Sequence, residues 1–325
     1  MKVYLAPLEG LADPPLRKIL CRCGGYDWCY SEFIRVTDEG LSDKTLLHDC
    51  PELLNGGRTD DGTLCRVQLL GDNPKTMADG AALAASLGAK GVDINFGCPS
   101  RFVHHSGSML LKEPELMKSI VLAVRDALPD KVLLSVKIRS GFSDKSELPK
   151  IMEAVSQQGV SEVAVHCRTR SELYKKSALD WSVLKPLHDL YPNVDIIANG
   201  DIISEKSARE CMEISGCKSL MTGRGAFMVP NLGHVIKEGA KPYTKAQTLG
   251  VLRGCMELFI DMGIEREKVI TDRAKQFLSY ARLSSDGLSE FFRAFCHCHG
   301  VDECLNMIDK AIEDFSREEE SVDAR

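Results

Sequence analysis

Of the thirteen cysteines in this 325-residue chain, one stands in a setting made for chemistry. Cys98 sits in the turn Gly97-Cys98-Pro99, directly after an apolar run, and Pro99 fixes the backbone there. A thiol with a pKa near ~8.5 stays mostly protonated at neutral pH. It can therefore donate a proton or, once activated, attack as a nucleophile. Lys137 ends another apolar run, where a charge without an anionic partner would be costly. It could stabilise negative charge on a cofactor ring or an enolate, or serve as a Schiff-base amine. Gln68 offers both a donor and an acceptor to the edge of a heterocycle. Asn199-Gly200-Asp201 and Gly223-Arg224-Gly225 read as a phosphate cradle. Glycines let backbone N–H groups approach an anion, and Arg224 supplies a charge-assisted contact. His166 and Arg168 are further strand-end hydrogen-bonders, and His104 and His105 read as a solvated loop pair.

These residues need a scaffold that brings distant segments together. Short apolar runs recur at Val3–Pro7, Trp28–Phe33, Arg66–Gly71, Val92–Gly97, Val132–Ile138, Val163–Cys167, Asp195–Gly200 and Ser219–Gly223. They are nearly continuous in apolar character, as in strands buried on both faces. Met77–Leu87, Pro114–Leu128, Leu148–Gln158 and Lys206–Ser215 carry apolar residues at helical steps between them. Eight strands alternating with helices predict an α/β fold, a (β/α)8 TIM barrel, over a doubly wound sheet with a helical cap. Reactive groups in such barrels collect at the C-terminal ends of the strands, where Cys98, Lys137, His166, Asn199 and Arg224 all lie. From Thr244 to Phe315 the periodicity is helical throughout. We therefore expect a barrel domain over 1–240 and a small helical bundle over 241–325, ending in a charged, frayed tail.

Composition narrows the function. The 41 Lys and Arg residues against 47 Asp and Glu give a net charge of −6, unlike a general nucleic-acid binder but compatible with a local basic groove. No apolar run reaches the ~20 residues of a membrane span, so no membrane role is expected. Pro7, Glu9 and Asp13 interrupt anything resembling a signal peptide. An odd number of scattered cysteines predicts reduced thiols in a cytoplasmic protein. Cys21-Arg22-Cys23 and Cys296-His297-Cys298-His299 with Cys304 lack common zinc spacing, so no metal is expected.

The segments Ala6-Pro7-Leu8-Glu9-Gly10, Val67-Gln68-Leu69-Leu70-Gly71, Gly91-Val92-Asp93-Ile94-Asn95-Phe96-Gly97-Cys98-Pro99-Ser100 and Ile197-Ala198-Asn199-Gly200-Asp201 resemble the tRNA-dihydrouridine synthases over essentially the whole chain. Arg273-Ala274-Lys275-Gln276-Phe277-Leu278-Ser279-Tyr280 is similar to the bacterial subgroup that modifies uridine 16 of the D-loop. The resemblance implies FMN in the barrel mouth, NADPH as reductant, and tRNA as partner to a monomer. It implies that Cys98 protonates C5 of a uracil reduced at C6. Pro7, Leu8 and Glu9 would line the flavin, with Gln68, Lys137 and His166 at its ring. Asn199, Gly200, Asp201, Gly223 and Arg224 would hold its phosphate. Asn95 would orient the uracil, Tyr174 would touch the RNA, and Arg35, Arg273 and Lys275 would help select the uridine. Two departures are visible. The loop Arg101–Lys112 is about two residues shorter than usual in that family, with Arg101 in place of a lysine. Cys296–His299 occupies a segment where a further basic contact is expected.

The rivals are an FMN barrel acting on a free pyrimidine and a non-catalytic RNA-binding module. The helical tail speaks against the first. Cys98 with Lys137 speaks against the second, because binding alone requires neither.

Overall fold

In a parallel strand covered on both faces, every side chain can be apolar, and seven of the eight runs above each become one such strand in the computed structural model. The structure describes residues 1–100 and 105–323. The strands are β1 (Lys2–Leu5), β2 (Trp28–Tyr30), β3 (Ile34–Arg35), β4 (Leu64–Leu70), β5 (Gly91–Asn95), β6 (Leu133–Arg139), β7 (Val160–His166), β8 (Asp195–Asn199) and β9 (Ser219–Thr222). All are parallel, in the order β2-β1-β9-β8-β7-β6-β5-β4-β3. A further pairing of β2 with β4 closes the barrel, which excludes the open doubly wound sheet.

The second strand of the barrel departs from the sequence reading. Trp28–Phe33 is not one run: β2 pairs with the start of β4, and β3 with its end. Between them Ser31 is buried, and its hydroxyl accepts from the Gln68 N–H at 3.0 Å. The side chain replaces a ladder carbonyl, so the strand breaks without orphaning a buried donor.

The barrel is surrounded by α1 (Pro14–Gly24), α2 (Asp43–Asp49), α3 (Pro74–Ser86), α4 (Pro114–Ala127), α5 (Leu148–Val155), α6 (Leu187–Leu190), α7 (Glu205–Ser215), α8 (Gly225–Met228) and α9 (Leu232–Glu238). The chain then builds α10 (Lys245–Asp261), α11 (Glu267–Ala281), α12 (Asp286–Phe295) and α13 (Val301–Asp323). These helices pack back on the barrel, α10 against α1 and α11 against α8. Phe227 and Phe277 meet edge to face across the second contact, with ring centroids 5.8 Å apart. Much of the charged end is helical, forming the last turns of α13 through Asp323. Lys245 reaches across from α10 to Glu318 at 2.8 Å, and Arg317 pairs with Glu313 one turn back at 3.2 Å. Charges that look solvated in a list become helix-supporting pairs once a partner helix lies alongside.

The foot of the barrel is filled. Arg66 is fully buried, ion-paired to Glu162, and its guanidinium lies 4.4 Å from the centre of the Trp28 ring. Tyr4 donates to the same carboxylate at 2.9 Å. Two guanidinium nitrogens of Arg66 have no hydrogen-bond partner, and ring faces take the place of acceptors. A polar plug thus sits below the open, C-terminal end of the strands.

Candidate active site

Cys98 is held by its backbone on several sides. The Asn95 side-chain oxygen accepts from the N–H groups of Gly97 and Cys98, both at 2.9 Å. Arg139 donates to the Gly97 carbonyl at 2.8 Å, and Ser108 donates its hydroxyl to the Cys98 carbonyl at 2.7 Å. Gly107 has φ +57°, and a Cβ there would stand 3.0 Å from that carbonyl, so only glycine brings the returning loop this close. The thiol is left facing a cavity of about 410 Å³, with the Glu9 carboxylate 4.0 Å away. Burial, and after it the nearby Glu9, pushes the thiol above its ordinary pKa. The thiol therefore favours its protonated form at neutral pH, in which it is able to donate a proton.

Across the cavity floor lie Gln68, Asn95, Lys137 and His166. Asn95 donates to the Gln68 carbonyl oxygen at 2.9 Å. Lys137 donates to Asn199 at 3.2 Å, and that asparagine anchors itself on the Met221 carbonyl at 2.8 Å. Burial, followed by the Arg139 charge, brings the Lys137 amine down to about 8. His166 is held neutral, well below its ordinary range, by burial and then by Arg139 and its other cationic neighbours.

The corner expected to take a phosphate is more elaborate than the motif. Asp201 accepts from Arg224 at 2.6 Å and also from the buried Arg168. Its carboxylate would repel a phosphate, so its side chain aims the two guanidinium groups and does not itself offer a contact. Asn199 is likewise committed, to Lys137 and the strand beside it. Arg224, Gly200 and Gly223 all line the cavity at this corner. Gly200 has φ +131°, and a Cβ there would lie 2.7 Å from a Leu179 methyl group. One nitrogen of the buried Arg168 has no partner. A hydrogen-bonding floor, a lysine and an arginine-lined corner fit a planar heterocycle carrying a phosphate.

Pro7, Leu8 and Glu9 all line the cavity. Tyr174 stands at the rim, half-exposed, over the guanidinium groups of Arg139 and Arg224 at 5.3 and 5.2 Å. Arg35 lies in the exposed part of β3, away from the cavity lining. Arg273 and Lys275 are engaged within the fold. Arg273 pairs with Asp13 at 2.9 Å, and Lys275 donates to the Cys298 carbonyl at 2.6 Å. Arg139, Gln276 and Tyr280 reach the cavity without having been singled out as site residues. Helical spacing carried the signal for the last two, since 273, 276 and 280 share one face of α11.

A group of ligand-type side chains lies elsewhere than the cysteine clusters of the sequence. Cys50, Glu52 and Cys65 bring ligand-type atoms within 4.8 Å of one another, buried at the start of β4 and away from the mouth. Both Glu52 oxygens are taken by Arg17, at 2.6 and 2.8 Å. His105 is clipped between Asp72 and Glu113, at 2.9 and 3.0 Å. Arg101 and His104 lie outside the described residues. Among the described residues no helix is long and apolar enough to cross a membrane.

A thiol, an amine and an arginine-lined corner around one cavity at the mouth of a barrel suit reduction of a polarised double bond, the chemistry of a barrel oxidoreductase. Sequence comparison narrows the class. The family model for dihydrouridine synthase (Dus) matches residues 4–313, and the chain belongs to that family. It is 42% identical over 297 residues to the tRNA-dihydrouridine(16) synthase of Escherichia coli O157:H7, covering 90% of this chain and 92% of that one. It is 38% identical over 313 residues to the protein of the same name from Shewanella oneidensis, covering 96% and 98%. The solved structure of histamine dehydrogenase from Rhizobium sp. 4-9 is similar with a TM-score of 0.56 at 12% identity. That match covers 79% of this chain and 49% of the other, and concerns the fold alone.

Proposed function

We propose that this protein reduces the C5=C6 bond of uridine 16 in the D-loop of tRNA, with FMN in the barrel mouth and NADPH as the reductant. The observation that carries the reading is the Cys98 turn, held by Asn95 at a cavity that Lys137 and the Arg224 corner also line. FMN, when bound, supplies the hydride that arrives at C6. Cys98 gives its proton to C5 and regains one from solvent. Gln68 and Lys137 hold the ring edge; Arg224 with the Gly200 and Gly223 backbone holds the phosphate. Asn95 orients the uracil, which must leave the RNA stack to reach the floor. Tyr174 stands at the rim, where an arriving nucleotide passes.

Recognition through a local surface suits an acidic protein, because folded RNA is read by shape and loop contacts. In this reading residues 1–240 carry the chemistry and 241–325 help to seat the RNA. The enzyme works as a monomer in the cytoplasm. Purified protein should be yellow and release FMN on denaturation; a colourless protein unable to rebind FMN removes the reading. Dihydrouridine should be lost only at position 16 in a deletion strain and return with this chain. Reduction of free uridine with no need for RNA would favour the metabolite enzyme instead.

A further inference from the structure

Asp93 lies at the centre of β5, wholly buried and outside the cavity lining. Its carboxylate accepts from Gln68 Nε2 at 2.7 Å and from the Ser135 hydroxyl at 2.5 Å. Gln68 Oε1 in turn accepts from Asn95 Nδ2 at 2.9 Å, and Asn95 Oδ1 accepts from the Cys98 N–H at 2.9 Å. The four residues form one directional chain, and each side chain is buried before the turn is reached. A carboxamide alone can lie either way round, because its oxygen and nitrogen have nearly the same shape. An acceptor-only group at one end removes that choice for every carboxamide along the chain.

We propose that Asp93 is a positioning residue for the reaction: it sets which end of Gln68 faces inward, and through Gln68 and Asn95 it sets the Cys98 turn. With Nε2 turned to Asp93 and Oε1 occupied by Asn95, Gln68 keeps one N–H for the ring edge in the cavity. Were Gln68 reversed, its oxygen would meet the Asp93 carboxylate and its nitrogen would meet the Asn95 amide. Asn95 would then turn as well, and its oxygen would leave the Gly97 and Cys98 N–H groups. The inference rests on the proposed function, because it assigns a role within that site.

The test uses full-length, FMN-loaded protein and unmodified tRNA, reading single-turnover dihydrouridine formation with flavin content and melting temperature alongside. Asp93→Ala should slow the reaction about tenfold or more at full flavin occupancy. Asp93→Asn can still accept from Gln68 while donating to Ser135, and should recover about tenfold over Asp93→Ala. Because Asp93 acts through Gln68, adding Asp93→Ala to Gln68→Ala should change the rate little. An equal further loss in the double variant, or an Asp93→Asn enzyme as slow as Asp93→Ala, overturns the proposal. If Asp93→Ala does not fold, the isosteric pair decides. Gln68→Glu faces one carboxylate with another, and Asp93→Asn added to it should restore about tenfold; no recovery again overturns it. A wild-type protein that makes no dihydrouridine would instead refute the proposed function.

Discussion

Arg273 of α11 forms an ion pair with Asp13, the N-cap residue of α1, at 2.9 Å. Residues far apart in sequence thus join the helical tail to the loop leaving β1. Arg273 also donates to the Gly10 carbonyl and to Gln276 at 2.8 Å. Asp13 in turn accepts from the Leu16 N–H at 3.2 Å. Burial pushes the Asp13 carboxyl up, and the Leu16 N–H and then Arg273 oppose it. Gln276 and Tyr280, further along the same helix, line the cavity.

Arg273→Ala should therefore cost about 1–3 kcal/mol, because it leaves the largely buried Asp13 without its ion-pair partner. Urea unfolding checks this. We expect FMN binding to survive and the reaction with tRNA to slow, since the α11 face shifts while the floor does not. Stability equal to wild type would show that the tie is idle.

Cys98→Ala should bind FMN normally yet lose dihydrouridine formation by about 10²–10⁴-fold, the usual contribution of a positioned acid. Flavin reduction by NADPH should continue, because that half of the cycle needs no proton from Cys98. Retained full activity would remove the thiol from its role.

Lys137 should make cofactor binding pH-dependent. Its amine is lowered to about 8, so it is charged below that pH and neutral above. Affinity of the cofactor-free protein for the FMN dianion should fall as pH rises through about 8, and Lys137→Met should be weaker and flat across that range. The cofactor-free protein should grow more stable as pH rises above about 8, because the unfolded chain then holds the extra proton. Titration of FMN fluorescence quenching reads the first effect and thermal melting the second. An unchanged pH profile in Lys137→Met would assign the limb elsewhere.

At the phosphate corner, the comparison of FMN with riboflavin isolates the phosphate. Arg224→Ala should cost about 1.5–3 kcal/mol against FMN, or about 10- to 150-fold in Kd, and much less against riboflavin. Asp201→Asn should act in the same direction but more weakly, since it loosens Arg224 without removing it. Equal losses for both ligands would mean that the phosphate binds elsewhere.

Much of this site can be read from sequence because a buried parallel strand announces itself as an apolar run, and its C-terminal end is where polar residues intrude. Cys98, Lys137, His166 and Arg224 are conspicuous for that reason. Asp93 is not, since a single acid within an apolar run gives no sign of facing Gln68. The roles of Asn199 and Asp201 are similarly hidden. Their motif suggests an anion site, but only long-range pairing with Lys137, Arg168 and Arg224 shows what the side chains hold. The break between β2 and β3 depends on Ser31 meeting a backbone N–H from another strand, which no local pattern contains. The pairing of Glu318 in α13 with Lys245, many residues earlier, is likewise absent from composition alone.

The Arg66–Glu162 plug at the foot of the barrel has a kinetic consequence. With the lower end filled, the described cavity opens at the mouth, and on the proposed function a dinucleotide and a folded tRNA both use that opening. They must therefore take turns, with the electrons parked on the protein between visits. Initial-rate plots against one substrate at several levels of the other should run parallel, the signature of a ping-pong cycle.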